Sequence, residues 1–307
     1  MQQKTLAEAK KRLFRGELVI FPTETVYGIG GNAENDQAIR LIYGVKKRPF
    51  DNPLICHFGN LTEIEKNFIL KNRDYELAKA FWPGPLTLIL KKKKESKITT
   101  LVSNDHTSVG CRIPNNEIAL NLLKELGFPI AAPSANITTK TSITSINDID
   151  IELKNIFYID GGSSVLGLES TVIQTTNLGC KILRLGSLTI EEIKNKFSDY
   201  KIETTESKLS PGNKLKHYSP NKAIRINVKN VYDNESLLNF GKNNLKSNIQ
   251  DLNLSISGNL IEASYNFYHF LNMLDKSICD QIAVAPIPNH GLGKTINDRL
   301  KRAAYED

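Results

Sequence analysis

The 307-residue chain has no run of about 18 apolar residues, which excludes a membrane-spanning helix. Its start, Met1-Gln2-Gln3-Lys4, lacks the apolar core of a signal peptide, so a cytoplasmic protein is expected. Cysteine is scarce. Cys56, Cys111, Cys180 and Cys279 stand far apart, which argues against a zinc knuckle or a redox pair and predicts core thiols. No G-x-x-x-x-G-K-[ST] segment occurs, so P-loop chemistry is not expected. Acidic residues are outnumbered, 33 against 40 Lys and Arg, for a net charge of +7. That balance suits an anionic partner such as a nucleotide or RNA, and equally a soluble Lys-rich surface. The sharpest basic cluster, Lys91 to Lys94 with Lys97, reads as a solvated loop or an RNA-facing patch.

Hydrophobic periodicity predicts alternating strands and helices. A first helix opens on a capping box at Thr5-Leu6-Ala7-Glu8 and closes at Gly16. Strands are expected at 18–21, 53–58, 86–90, 108–113 and 130–132, and helices at 36–47, 74–82 and 116–126. Further strands fall near 157–160, 171–174 and 181–184, before a helix opened by Thr189. Composition changes after residue 203. A Pro, Gly and basic stretch at 209–220 reads as an interdomain linker. The pattern restarts at Ala223, with strands at 223–228, 252–256 and 282–285 and helices at 259–276 and 294–304. The expectation is a catalytic domain at 1–207, a linker at 208–222 and a smaller α/β domain at 223–307.

Gly28-x-Gly30-x-x-Ala33 imitates a dinucleotide fingerprint. Its glycines lie past the strand core, however, and Asp36 delays the helix that a pyrophosphate site needs at its glycines. Lys46-x-Arg48, with Asn52 and His57, has the makings of an anion site. Pro49 bars Arg48 from a relaxed helical conformation, so Lys46 is free to act as a point charge while Arg48 forks onto phosphate oxygens. Favourable charge at a helix C-terminus explains the pair equally well. Arg112, in a strand of apolar residues, must meet a carboxylate, either the protein's own or a substrate's. Ala131-Ala132-Pro133-Ser134-Ala135-Asn136 brings backbone, hydroxyl and amide close together. The segment suits a ligand or a polar turn. Ser170 caps either a ligand or a turn. The stretch Ser210 to Pro220 carries two Lys, a His and a Tyr between prolines, so it is either a plain connector or a strap that folds over an anionic site.

PTETVYGIGG, KKRPFDNPL, VGCRIP, APSAN, GLESTV, LRLG and SPGNKLKHYSP, in that order, resemble the Sua5/YrdC/YwlC family of L-threonylcarbamoyladenylate synthases. The segment Gly291 to Leu300 is similar to the close of that family's second domain, which implies the long, two-domain form. The resemblance implies an open twisted mixed α/β sheet with a basic concave site, plus a smaller Rossmann-like α/β domain. It implies a nucleotidyltransferase that converts ATP, L-threonine and bicarbonate to threonylcarbamoyl-AMP, pyrophosphate and water. The product serves N6-threonylcarbamoyladenosine formation at tRNA position 37, with transfer made by separate partner proteins. By motif, Thr23, His57, Arg112, Ala132 and Ser170 would line the threonine pocket, with Arg112 on the carboxylate. Lys46, Arg48, Asn52, Ser108, Ser134, Asn136, Ser142 and Arg184 would hold ATP, Lys46 and Arg48 as the catalytic cations, and Tyr218 would close over the nucleotide. Magnesium is expected with ATP, carried by phosphates and water. Asn213 and Leu215 depart from the Met and Tyr usual in the strap, and Cys111 stands where Val is commoner. The alternative is a non-catalytic double-stranded RNA or tRNA binder using the same basic concavity. A carbamoyl-phosphate-dependent relative would carry zinc-finger CxxC pairs, which this sequence lacks.

Overall fold

The computed structural model describes residues 2–205, 207, 209 and 217–305. Its larger sheet runs, from one edge, Lys201–Thr204, Gly179–Arg184, Thr171–Thr176, Leu86–Lys92, Ser108–Arg112 and Ile55–His57. It continues through Ile130–Ala131, Gly28–Asn32 and Val19–Phe21 to Phe157–Tyr158, with Phe68–Ile69 paired onto Leu86–Lys92. Parallel and antiparallel pairs are mixed. Side chains alternate across the sheet: Ile20 and Ile29 enter the main core, while Val19 and Phe21 enter a second core against the helices Gln2–Phe14 and Glu117–Leu126. All four cysteines are buried and unbridged.

The glycine-rich segment forms a strand. Gly28–Asn32 pairs antiparallel with Val19–Phe21, and the loop 22–27 between them enters the site. A Cβ at Gly30 would come within 2.3 Å of Ile130 Cγ2 and 2.8 Å of Phe21 Cε1. These glycines therefore serve sheet packing, and no helix starts on them. The first helix also differs from expectation. It runs Gln2–Phe14, so Thr5 lies inside it and does not cap its start. Asp36–Val45 matches expectation more closely. Asn35 caps it through the amides of Gln37 and Ala38, and Ala38, Ile39, Ile42 and Tyr43 form its buried face.

The C-terminal domain has an all-parallel sheet in the order Ala223–Arg225, Gln281–Val284, Glu235–Asn239, Asp251–Asn253. The helices Leu260–Asp275 and Leu292–Ala303 pack on its core. Glu235–Asn239 escaped the sequence reading because Glu235, Ser236 and Asn239 disguise a wholly buried strand; Arg225 pairs with Glu235 at 2.6 Å. Val26, Leu168 and Tyr218 join the core of this C-terminal domain, so the two domains share packing beside the site.

Candidate active site

Segments from across the fold converge on one cavity: the loop 22–27, the link after the helix Asp36–Val45, the ends of Ile55–His57 and Ser108–Arg112, the turn 132–134, the residues just before Thr171, the end of Gly179–Arg184, and His217 with Tyr218. Parallel pairing puts His57 level with Arg112, which delivers an imidazole and a guanidinium side by side. Of the residues singled out in the sequence, Thr23, Arg48, His57, Arg112, Ala132, Ser134, Ser170, Arg184 and Tyr218 line this cavity.

The remaining candidates stand off the wall. Lys46 Nζ donates to the carbonyls of Ser134, at 2.5 Å, and Asn136. Asn136 Nδ2 donates to the carbonyls of Ile137 and Lys140, and its Oδ1 accepts from Ser134 Oγ at 2.5 Å. Ser142 Oγ donates to Glu169 Oε1 at 2.6 Å. These three brace residues that line the cavity. Asn52 holds Arg48 through its carbonyl, while its own buried Nδ2 has no partner among the described residues. Ser108 is not among the residues that line this cavity: it lies four residues before Arg112, roughly 13 Å away along the strand, and pairs with Lys91. The strap residues 210–216, with Asn213 and Leu215, lie outside the described residues.

Burial shapes the charges. Arg48 donates through Nε to Asn52 O at 2.9 Å and through Nη2 to Pro53 O at 2.8 Å, and burial lowers its pKa to about 10. Burial, then the neighbouring Arg48, pulls Lys46 well below the usual ammonium value. Arg184 is lowered by burial and donates to Ser170 through the backbone carbonyl and Oγ. His57 and His217 are both pushed down to about 3 by burial, with Arg112 adding for His57, so both are neutral. Each has a buried Nδ1 without a partner among the described residues.

Arg112 and Glu24 are both buried, with Nη2 2.8 Å from Oε1. The pair is misaligned, and neither Glu24 oxygen nor Arg112 Nη2 completes a hydrogen bond among the described residues. Arg112 thus meets one of the protein's own carboxylates while keeping donor capacity. Thr23 Oγ1 donates to Val26 O at 2.6 Å and fixes the loop.

Sequence reasoning missed Glu169, Arg299 and Tyr268, which join the two domains at the cavity. It also left Glu24 and His217 without a role. Glu24 and Glu169 sit inside motifs already noticed. Arg299 had a signal too, because Ile296, Arg299, Leu300 and Ala303 share one helical face, and all are buried.

The cavity measures about 50 Å3. That is far below the roughly 300–1,000 Å3 of most ligand pockets. His217 and Tyr218 help to fill it. Their rings lie 4.0 Å apart, and Tyr218 has φ 61°, uncommon for a side-chain-bearing residue.

A family model described as "Telomere recombination", covering Sua5, YciO and YrdC, matches residues 11–186. A second, "Threonylcarbamoyl-AMP synthase, C-terminal domain", matches 188–305. The chain is 34% identical to the threonylcarbamoyl-AMP synthase of Pyrococcus abyssi, covering 94% of this chain and 91% of that one. It is 32% identical to the Bacillus subtilis threonylcarbamoyl-AMP synthase, covering 97% and 92%. The crystal structure of P. abyssi Sua5 complexed with L-threonine superposes with a TM-score of 0.87 at 32% identity, covering 99% of this chain and 95% of that one. The chain therefore belongs to the Sua5/YrdC family of threonylcarbamoyl-AMP synthases, in its two-domain form.

Proposed function

We propose that this cavity makes threonylcarbamoyl-AMP from ATP, L-threonine and bicarbonate. The observation that carries the reading is the convergence of three guanidiniums, Arg48, Arg112 and Arg184, with the neutral His57 imidazole and the hydroxyl residues Thr23, Ser134 and Ser170 on one small hollow. The threonine-bound relative supports an amino acid as one occupant.

Arg112 takes the threonine carboxylate with its spare donor capacity, while Thr23, His57, Ala132 and Ser170 shape the surrounding pocket. Neutral His57 suits this place, since an imidazolium there would compete with Arg112 for the carboxylate. The threonine amine and bicarbonate form a carbamate with loss of water. A carbamate oxygen then attacks the α-phosphorus of ATP, and pyrophosphate leaves. Arg48 and Arg184 face the charge that develops on the phosphoryl oxygens. Asn52 supports Arg48 from behind through its carbonyl, and Ser142 fixes Glu169 on the wall. Lys46 and Asn136 act through the turn that carries Ser134, and Lys46 reaches a phosphate by exchanging a carbonyl for it. Confinement makes the encounter local, and exclusion of water protects the carbamate and the mixed anhydride. ATP enters as its magnesium complex, with the ion carried on phosphates and water.

His217 and Tyr218 form the described end of the strap. A cavity of about 50 Å3 cannot admit ATP while both rings fill it, so they withdraw for entry and return over the nucleotide. The product then passes to separate proteins that transfer the threonylcarbamoyl group to position 37 of tRNA. Pyrophosphate release measured while threonine and bicarbonate are omitted in turn tests the reading. Release that requires both is expected, and release indifferent to either overturns it.

A further inference from the structure

Arg299 is fully buried, although it belongs to the C-terminal domain's last helix. Its Nε donates to Glu169 Oε2 at 3.0 Å and its Nη2 to Leu185 O at 2.6 Å, while Nη1 pairs with Asp298. Its guanidinium also lies 4.6 Å from the Tyr218 ring centroid. Glu169 lines the same cavity as Arg48 and Arg184. Its Oε1 accepts from Ser142 Oγ at 2.6 Å and from Tyr268 Oη at 2.8 Å. Three groups from both domains thus meet at one carboxylate, and one of them, Arg299, also lies over the Tyr218 ring. Burial alone would raise the pKa of Glu169, but Arg299, then Arg184, with the two hydroxyls, hold it down at about 2. It is ionised at any working pH.

An ionised carboxylate on the wall of a triphosphate site repels its ligand and competes for the arginines meant for it. The geometry points to Arg299 as a positioning residue supplied by the C-terminal domain: it neutralises Glu169, so that this carboxylate does not repel the phosphates, and it seats Tyr218. This inference rests on the reading that ATP occupies the cavity. It assigns the second domain an electrostatic role at the active site that neither chemistry nor lid closure requires.

The test sets two substitutions against each other. Arg299→Gln leaves Glu169 short of its main counter-charge, so KM for ATP should rise on the order of tenfold or more. KM for threonine, which is gripped on the Arg112 side, should move much less. Glu169→Gln removes the repulsion and should lower KM for ATP. Combining the two should recover most of the ATP affinity lost in Arg299→Gln. A purely structural network predicts instead that both single variants weaken both substrates together and that the double variant is worse than either. That pattern overturns the inference. If Arg299→Gln does not fold, the direction of the ATP KM shift in Glu169→Gln decides alone. Wild-type protein that releases no pyrophosphate from ATP would instead discard the functional reading beneath it.

Discussion

Replacing Arg48 with Ala separates folding from chemistry. In the native structure its guanidinium holds two carbonyls, Asn52 O and Pro53 O. Asn52 O keeps a second donor, Tyr43 Oη at 3.3 Å, so Pro53 O is the acceptor that loses its guanidinium donor. An unsatisfied buried acceptor costs about 1–3 kcal/mol. For a chain of this size that lowers the melting midpoint by roughly 2–12 °C. The protein stays folded at 25 °C, since domains of this kind are stable by about 5–15 kcal/mol. The chemical loss is larger. A buried cation facing a triphosphate contributes about 2–5 kcal/mol, or roughly 30- to 5,000-fold in ATP-dependent turnover. Pyrophosphate release and thermal melting measured on the same preparation give both quantities. Arg48→Lys keeps the charge and loses the fork, so it should fall between Ala and wild type. Turnover within about threefold of wild type in the Ala variant would refute the placement of Arg48 on the nucleotide.

Ending the chain after residue 208 exposes Val26 and Leu168 and strips Glu169 of Arg299 and Tyr268. The shortened protein should turn over more slowly and leak product, and full rate with full product retention would exclude the strap's role. Stability should fall in mild acid. His57 and His217 sit at about 3 when folded against an ordinary 6.5, so the unfolded chain binds the extra protons between those values. Each removes on the order of 2 kcal/mol by about pH 5, and Glu169 adds a loss below its ordinary 4.5. Urea titrations across pH should therefore show midpoints that drop below about pH 6.5, with a shallower slope in His57→Gln; a pH-independent midpoint contradicts the burial of neutral imidazoles. Gly30→Ala drives a methyl group into Ile130 and Phe21 and should cost about 1–3 kcal/mol or more in thermal unfolding, whereas an unchanged midpoint contradicts the close strand packing.

Much of the fold was legible because apolar spacing and caps agree. Asn35, Asn116, Thr189 and Asn259 each cap a helix close to where the pattern begins. Gly28–Asn32 was hidden because glycine lacks strand propensity, and only the position of Ile130 and Phe21 across the sheet requires it there. Glu235–Asn239 was hidden because an ion pair with Arg225 makes its polar end look exposed. At the site, the motifs located nine of the residues that line the cavity and missed Glu169. They did not reveal which residues stand behind it, since Lys46 and Arg48 look alike in sequence. The structure turns both onto backbone carbonyls, and of the two only Arg48 also lines the cavity. The contribution of Arg299 depends on a contact across 130 positions of sequence, which local pattern cannot show.

The most direct test of the central claim is the fate of bicarbonate carbon. The full chain, incubated with ATP, threonine and 13C-bicarbonate and analysed by mass spectrometry, should yield an adenylate that carries both threonine and the heavy carbon, with pyrophosphate in equal amount. An adenylate without the label, or labelled bicarbonate left unconsumed while ATP is cleaved, would contradict a carbamate attacking the α-phosphorus.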